Sequence, residues 1–174
     1  MVEWDIRVEY QEPLPAVYAH VLSETPEEDV FEIIWAWASK NGLPNKDRET
    51  RMFGRNTYPT DQSEPHGYQL FMTVKEPIDE TDEVKNGEIL GGYYAVLRST
   101  TVFQMGESCP ALWKWIEESE YTHTGWIKGE FGWASGCEEN LSLYESLPPE
   151  KWKFILMVPV KKKSTQDSRP FTLL

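Results

Sequence analysis

Trp35-Ala36-Trp37 and Trp113-Lys114-Trp115 are two W-x-W pairs set 113 − 35 = 78 residues apart, and the sequence around them repeats. Upstream of the first runs Leu14-Pro15-Ala16-Val17-Tyr18-Ala19-His20-Val21. Upstream of the second runs Leu90-Gly91-Gly92-Tyr93-Tyr94-Ala95-Val96-Leu97. Each reads as a strand entered through a tight turn. Downstream lie residues 68–74 and 152–158, both apolar and strand-like. Three elements recurring in one order mark an internal duplication.

Working outward, residues 2–8 alternate, with Val2, Trp4, Ile6 and Val8 set against Glu3, Asp5 and Arg7. That is the period of a half-buried strand. Leu14-Pro15 interrupts it and residues 17–22 resume, so 2–22 read as one bent or bulged strand, since proline cannot donate to a ladder. Thr25-Pro26-Glu27-Glu28 opens a helix, with Thr25 as N-cap, Pro26 in the first helical position and Glu28 closing a capping box. Val30, Ile33, Ile34, Trp37 and Ala38 fall at helical spacing, and Gly42 with Pro44 beyond it stops the helix. Residues 52–58 read as a strand and 60–67 as a polar loop. Residues 67–75 are a nearly continuous apolar strand and so belong in the middle of a sheet. Residues 77–87 are acidic, contain Pro77 and read as a linker.

The second half follows the same plan. A strand spans 88–101 around Gly91-Gly92. A helix spans 108–121, with Ser108 or Cys109 near its cap and Pro110 in its first turn. A glycine-punctuated stretch covers 126–133, a strand 140–147, and an apolar strand 152–160. The expected fold is α+β: two βαββ repeats related by a pseudo-twofold, forming an antiparallel sheet with two helices on one face and a central groove. Residues 1–163 form a single domain on this reading (repeats 1–76 and 88–163), with 164–174 a mobile tail.

The chain has 174 residues and a net charge of −12, with 40% hydrophobic residues. Its mean hydropathy is −0.55. Such a surface repels a phosphate polyanion, so a nucleic-acid partner is not expected. No apolar run reaches the roughly 18–20 residues of a membrane helix, and the N-terminus lacks a secretory pattern, which points to a cytoplasmic protein without a membrane partner. Cys109 and Cys137 read as free thiols. His20, His66 and His123 lack metal-ligand spacing and read as surface or turn residues. Gly91-Gly92 belongs to neither a phosphate loop nor a dinucleotide fingerprint, and no Ser sits in a G-x-S-x-G elbow. No cofactor and no metal are expected. Eight tryptophans are an excess suited to lining a ligand pocket.

Glu88-Ile89-Leu90-Gly91-Gly92-Tyr93-Tyr94-Ala95-Val96, followed by a Trp-rich helix, resembles the segment that opens the second half of GyrI-like proteins. Leu143-Tyr144-Glu145, then residues 152–160 ending in Val158-Pro159-Val160, resemble that family's closing strand pair. The resemblance implies the effector-binding domain of MerR-type and AraC-type multidrug regulators, here as a stand-alone member without a DNA-binding segment. It implies two βαββ units around an aromatic pocket that holds an acidic residue. The family often places a carboxylate two residues before the tyrosine of the penultimate strand. Here that position is Ser142, with Glu145 after the tyrosine and Glu138-Glu139 upstream.

The expected function is binding of a small planar or cationic organic molecule, as in drug or toxin sensing or sequestration. Candidate lining residues are Trp35, Tyr94, Trp113, Trp126, Trp133, Tyr144 and Glu145. In each W-x-W pair only one ring can face the sheet; Trp37 shares the Ile33-Ile34 stripe and reads as core. A carboxylate among aromatics holds a cation by charge and π-face together. The resemblance also implies an alternative, a hydrolase adding water to a strained electrophile such as a cyclopropanoid toxin, with Glu145 or Glu130 activating the water. A third reading is an interaction module for a protein partner such as gyrase. Monomer and homodimer are both open.

Overall fold

The computed structural model describes residues 3–45, 49–59, 64–124, 127–129, 132–134 and 136–164. The first half contains β1 (Ile6–Gln11), β2 (Leu14–Ser23), α1 (Pro26–Lys40), β3 (Met52–Thr57) and β4 (His66–Thr73). The second contains β5 (Lys85–Ile89), β6 (Gly92–Thr101), α2 (Met105–Glu118), β7 (Tyr121–His123), β8 (Ile127–Gly129), β9 (Gly132–Ala134), β10 (Cys137–Asn140) and β11 (Lys153–Lys162). Eight strands form one antiparallel path, β1-β6-β11-β10-β3-β4-β2-β5, with β7 added beside β11. The path reads the same from both ends if each strand is exchanged for its repeat partner, so the pseudo-twofold passes between β3 and β10.

This order corrects two sequence expectations. Residues 2–22 are not one bent strand: β1 pairs with β6, whereas β2 pairs with β4 and β5. Likewise 88–101 is split, with β5 on β2 and β6 on β11. Each half therefore lends its first strand to the other half. Pro13 and Gly91 end the alternation that would have carried each strand onward.

The exchange forces the sheet to curl. In a flat sheet β1 and β2 would lie six strand spacings apart, roughly 29 Å. Only Glu12 and Pro13 join them, a link of about 10 Å at most, and only Leu90 and Gly91 join β5 to β6. The two links touch: a Cβ on Gly91 would stand 2.7 Å from Pro13 Cδ and 3.2 Å from the Gln11 carbonyl oxygen. A larger residue does not fit there.

The curl divides the core by strand alternation. On the outer face α1 covers Val17, Ala19, Met52, Tyr68, Leu70 and Met72, and α2 covers Ala95, Leu97, Leu156, Val158 and Val160. On the inner face Phe53, Phe71, Tyr94, Val96, Ile155 and Met157 pack on one another without a helix. The 78-residue offset extends through the helices: buried Val30, Ile34 and Ala38 match buried Ser108, Leu112 and Ile116 (108 − 30 = 112 − 34 = 116 − 38 = 78). Trp37 and Trp115 pack toward the core, while Trp35 and Trp113 are each 37% exposed.

Local details differ from expectation in places. Thr25 makes no side-chain cap; its carbonyl accepts from Glu28 and Asp29, so the capping box does not form. Gly42 follows α1 at φ +67°, and Leu43 N–H closes back on the Ala38 carbonyl as expected of a glycine stop. Helix α2 begins at Met105, so Pro110 lies inside it rather than in its first turn. No helix among the described residues is long and apolar enough to cross a membrane.

Candidate functional site

The seam between β3 and β10 is where the halves meet, through the pairs Glu138–Gly54 and Glu139–Phe53. Leu70 lies opposite Ala19 and Leu156 opposite Leu97, and 97 − 19 = 78. Gly54 lies opposite Leu70 and Glu138 opposite Leu156. Gly54 and Glu138 are thus equivalent positions, paired with each other at the pseudo-twofold, yet one has no side chain and the other a carboxylate.

Tyr68 explains the asymmetry. It stands on β4 beside β3, and its hydroxyl crosses over Gly54 to donate a short hydrogen bond to Glu138 Oε1. A Cβ on Gly54 would sit 1.9 Å from that hydroxyl and 2.6 Å from Tyr68 Cζ. Glycine therefore opens the path for a phenol to reach a carboxylate in the other half. Burial pushes the Glu138 carboxyl above its ordinary value; the Tyr68 bond opposes this, and the Glu27 carboxylate adds to it. Burial, then Glu138, push the Tyr68 hydroxyl far upward, so it remains a donor. Glu138 as a whole residue is nevertheless only half-buried.

Helices flank this pair. Glu27, Phe31 and Trp35 form an i, i+4, i+8 stripe along α1. Phe31 stacks on Trp35 at 5.3 Å between ring centres and meets Trp152, just before β11, at 5.6 Å. The α1 stripe thus leans across to the second half. On α2 the positions equivalent to Phe31 and Trp35 are Cys109 and Trp113. Burial and the Glu138 charge raise the Cys109 thiol, which places α2 within electrostatic reach of the same carboxylate. Trp113 meets His123 edge-on at 5.3 Å. His66 is buried, contrary to the surface role expected of it, and lies 3.3 Å from Glu27 Oε1 at the N-terminal end of α1.

The sequence candidates fall into separate places. Trp35 and Trp113 lie at equivalent positions on α1 and α2, each half-exposed. Tyr94 lies on the inner face, its hydroxyl donating to the Leu90 carbonyl at 2.7 Å. Residues 140–147 do not form the expected strand: β10 ends at Asn140 and residues 141–144 form a turn. The Asn140 side chain caps Ser142 N–H at 2.8 Å, and Ser142 Oγ accepts from Lys153 N–H, which turns the chain out of the ladder. Tyr144 therefore leaves the sheet and donates to the Thr50 carbonyl at 2.7 Å, and Glu145 is exposed. Trp133 lies on β9, which rests against β3. Trp126 and Glu130 lie outside the described residues.

Glu138 and Tyr68 were missed as a pair: in the sequence Glu138-Glu139 stand only as consecutive acids upstream of Tyr144. In fact they point to opposite faces. Glu139 turns inward and is bound by Arg51 at 2.6 and 2.8 Å. The available signal was the repeat itself, which sets Glu138 against a glycine.

No protein-family model matches the chain, and no curated protein matches it in sequence. Solved structures do. The EcmrR C-terminal domain superposes with a TM-score of 0.71 at 9% identity, over 93% of this chain and 100% of that domain. EcmrR in its complex with DNA gives 0.71 at 11% identity over 92% of this chain, which spans only 58% of the EcmrR chain. A hydrolase from Listeria innocua gives 0.58 at 12% identity, over 90% of this chain and 91% of that one. At these identities the likeness is one of fold. The fold is that of the EcmrR C-terminal domain, in agreement with the GyrI-like fold expected from the sequence.

Proposed function

We propose that the chain binds a small planar organic cation over the seam, with Glu138 as the anionic anchor and Trp35 and Trp113 as aromatic flanks. The observation that carries this reading is Glu138 itself. A carboxylate whose charge is disfavoured by burial, in a residue that is itself only half-buried, gains from an incoming cation what it lacks in the free protein. Aromatic faces on either side add cation–π attraction. Tyr68 holds the carboxylate in one orientation.

The test is quenching of Trp fluorescence by ethidium, a planar cation, and by phenanthridine, its neutral ring system. Ethidium should bind saturably and lose about tenfold in affinity in Glu138→Gln, the effect of one charge-assisted contact. Phenanthridine should be indifferent to that change. Equal loss for both compounds would contradict an anionic anchor.

A second reading rests on the same group. A half-buried carboxylate with a raised pKa, hydrogen-bonded to a phenol, suits general acid–base addition of water to an electrophile. Mass spectrometry of a cyclopropanoid compound after incubation distinguishes the two. A gain of one water with wild type, lost in Glu138→Gln while binding persists, favours turnover; unchanged compound favours binding alone.

A further inference from the structure

Arg55 follows Gly54 on β3, so its side chain points to the inner face, away from Tyr68 and Glu138. Among the described arginines, Arg7, Arg51 and Arg98 each hold a carboxylate at ion-pair distance. Arg55 holds none. Its Nε donates to Gln69 Oε1 at 2.8 Å, and its guanidinium carbon lies 5.1 Å from the centre of the Phe71 ring. Among the described residues neither Nη has an acceptor, and no unbonded side-chain nitrogen is sealed from solvent. Both Nη atoms are therefore open.

The described surroundings do not neutralise this charge. Arg55 is partly buried, and desolvation lowers its pKa. Tyr94 and Cys137 face it, but burial pushes both to about 12, so they stay uncharged. Glu88 lies at the same place on β5 and makes no ion pair with Arg55. A half-desolvated cation without a counter-charge is costly unless an anion is supplied from outside.

Arg55, Phe71, Glu88, Tyr94, Cys137 and Pro159 line a cavity of about 40 Å³. That holds a carboxylate group or a few waters. It is far below the roughly 300–1,000 Å³ of a drug-sized site, so it is not a pocket for the cation. Two parallel N–H donors of a guanidinium match the two oxygens of a planar carboxylate. We propose that Arg55 and its cavity form a binding site for a small carboxylate anion, on the sheet face opposite Glu138. The two sites differ in charge preference and lie on opposite faces of the sheet where β3 meets β10, so either can fail without the other.

The probe is formate, titrated at constant ionic strength against chloride, with melting temperature and the line width of 13C-formate as readouts. Wild type should show a saturable rise in Tm and broadening of the formate resonance. Arg55→Gln should weaken both at least about tenfold. Because that change removes a desolvated charge, the variant should fold. Arg55→Lys is the second variant, keeping the charge without the fork, and should bind more weakly than wild type. Glu88→Gln should tighten formate binding by removing a like charge. Four results overturn the proposal: no response in wild type, equal responses in wild type and Arg55→Gln, a response that appears only in Glu88→Gln, or a response to phosphate without one to formate.

Discussion

Gly54 in the first half and Glu138 in the second occupy equivalent strands and face each other across one seam, but they do opposite things. The first half supplies space and a hydroxyl from Tyr68; the second supplies the charge. Elsewhere the halves match closely, down to the buried stripes of α1 and α2 and the equal exposure of Trp35 and Trp113. A duplicated scaffold gives two similar walls, whereas a group at the pseudo-twofold has room for only one occupant. Function at such a seam comes from the position where the repeat is broken.

Filling the gap at residue 54 should break the comparison most severely. Gly54→Ala drives a Cβ into the Tyr68 hydroxyl and ring carbon. Overpacking of this kind costs about 1–3 kcal/mol, and here the upper end is expected by chemical denaturation. Tyr68→Phe in the same chain removes the nearest clashing atom, so the double variant should be less destabilised than the sum of the singles by at least about 0.5 kcal/mol. Strict additivity would mean that Gly54 is not making room for Tyr68.

Tyr68→Phe alone comes next. It leaves Glu138 without its donor, at a cost of about 1–3 kcal/mol at neutral pH. The cost should shrink on acidification, when the carboxyl takes up a proton.

Glu138→Gln should act with the opposite sign and on the order of 1 kcal/mol. The folded-state pKa of Glu138 lies above its unfolded value, so folding takes up a proton. The stability this gives wild type is full below the ordinary carboxylate range and is lost as pH rises through the raised value. Glu138→Gln should therefore be the more stable protein at neutral pH, with the gap closing in acid. A variant less stable at neutral pH would show that the carboxylate is held by contacts that outweigh its burial.

The smallest effect sharpens the comparison from its symmetric side. Trp35→Ala and Trp113→Ala remove half-exposed rings with one aromatic contact each among the described residues, so each should cost about 0.5–1.5 kcal/mol by denaturation, and similar amounts in the two halves. Unequal costs would mean that the helices do not carry equivalent walls.

Much of this plan was legible in the sequence. The W-x-W offset located both helices and, carried along them, their buried stripes. The apolar run over 67–75 announced a strand in the middle of the sheet, and β4 is paired on both sides. The strand exchange was not legible, because Pro13 and Gly91 read equally as a bulge within one strand or as a link between two. What decides is the partner each segment finds far along the chain. Glu138 was hidden for a related reason. Cys137-Glu138-Glu139-Asn140 has no apolar alternation, yet both acids are partnered, Glu138 by Tyr68 on one face and Glu139 by Arg51 on the other. Tyr144 and Glu145 drew notice through an apolar pattern that Asn140 and Ser142 turn out of the sheet.

The most direct test is a pH titration of the Glu138 carboxyl carbon by NMR in 13C-glutamate-labelled protein, with the resonance assigned by its loss in Glu138→Gln. The expected midpoint lies above the ordinary carboxylate range and rises further in Tyr68→Phe. A midpoint at or below that range, unmoved by Tyr68→Phe, would contradict a desolvated carboxylate held by Tyr68 at the seam.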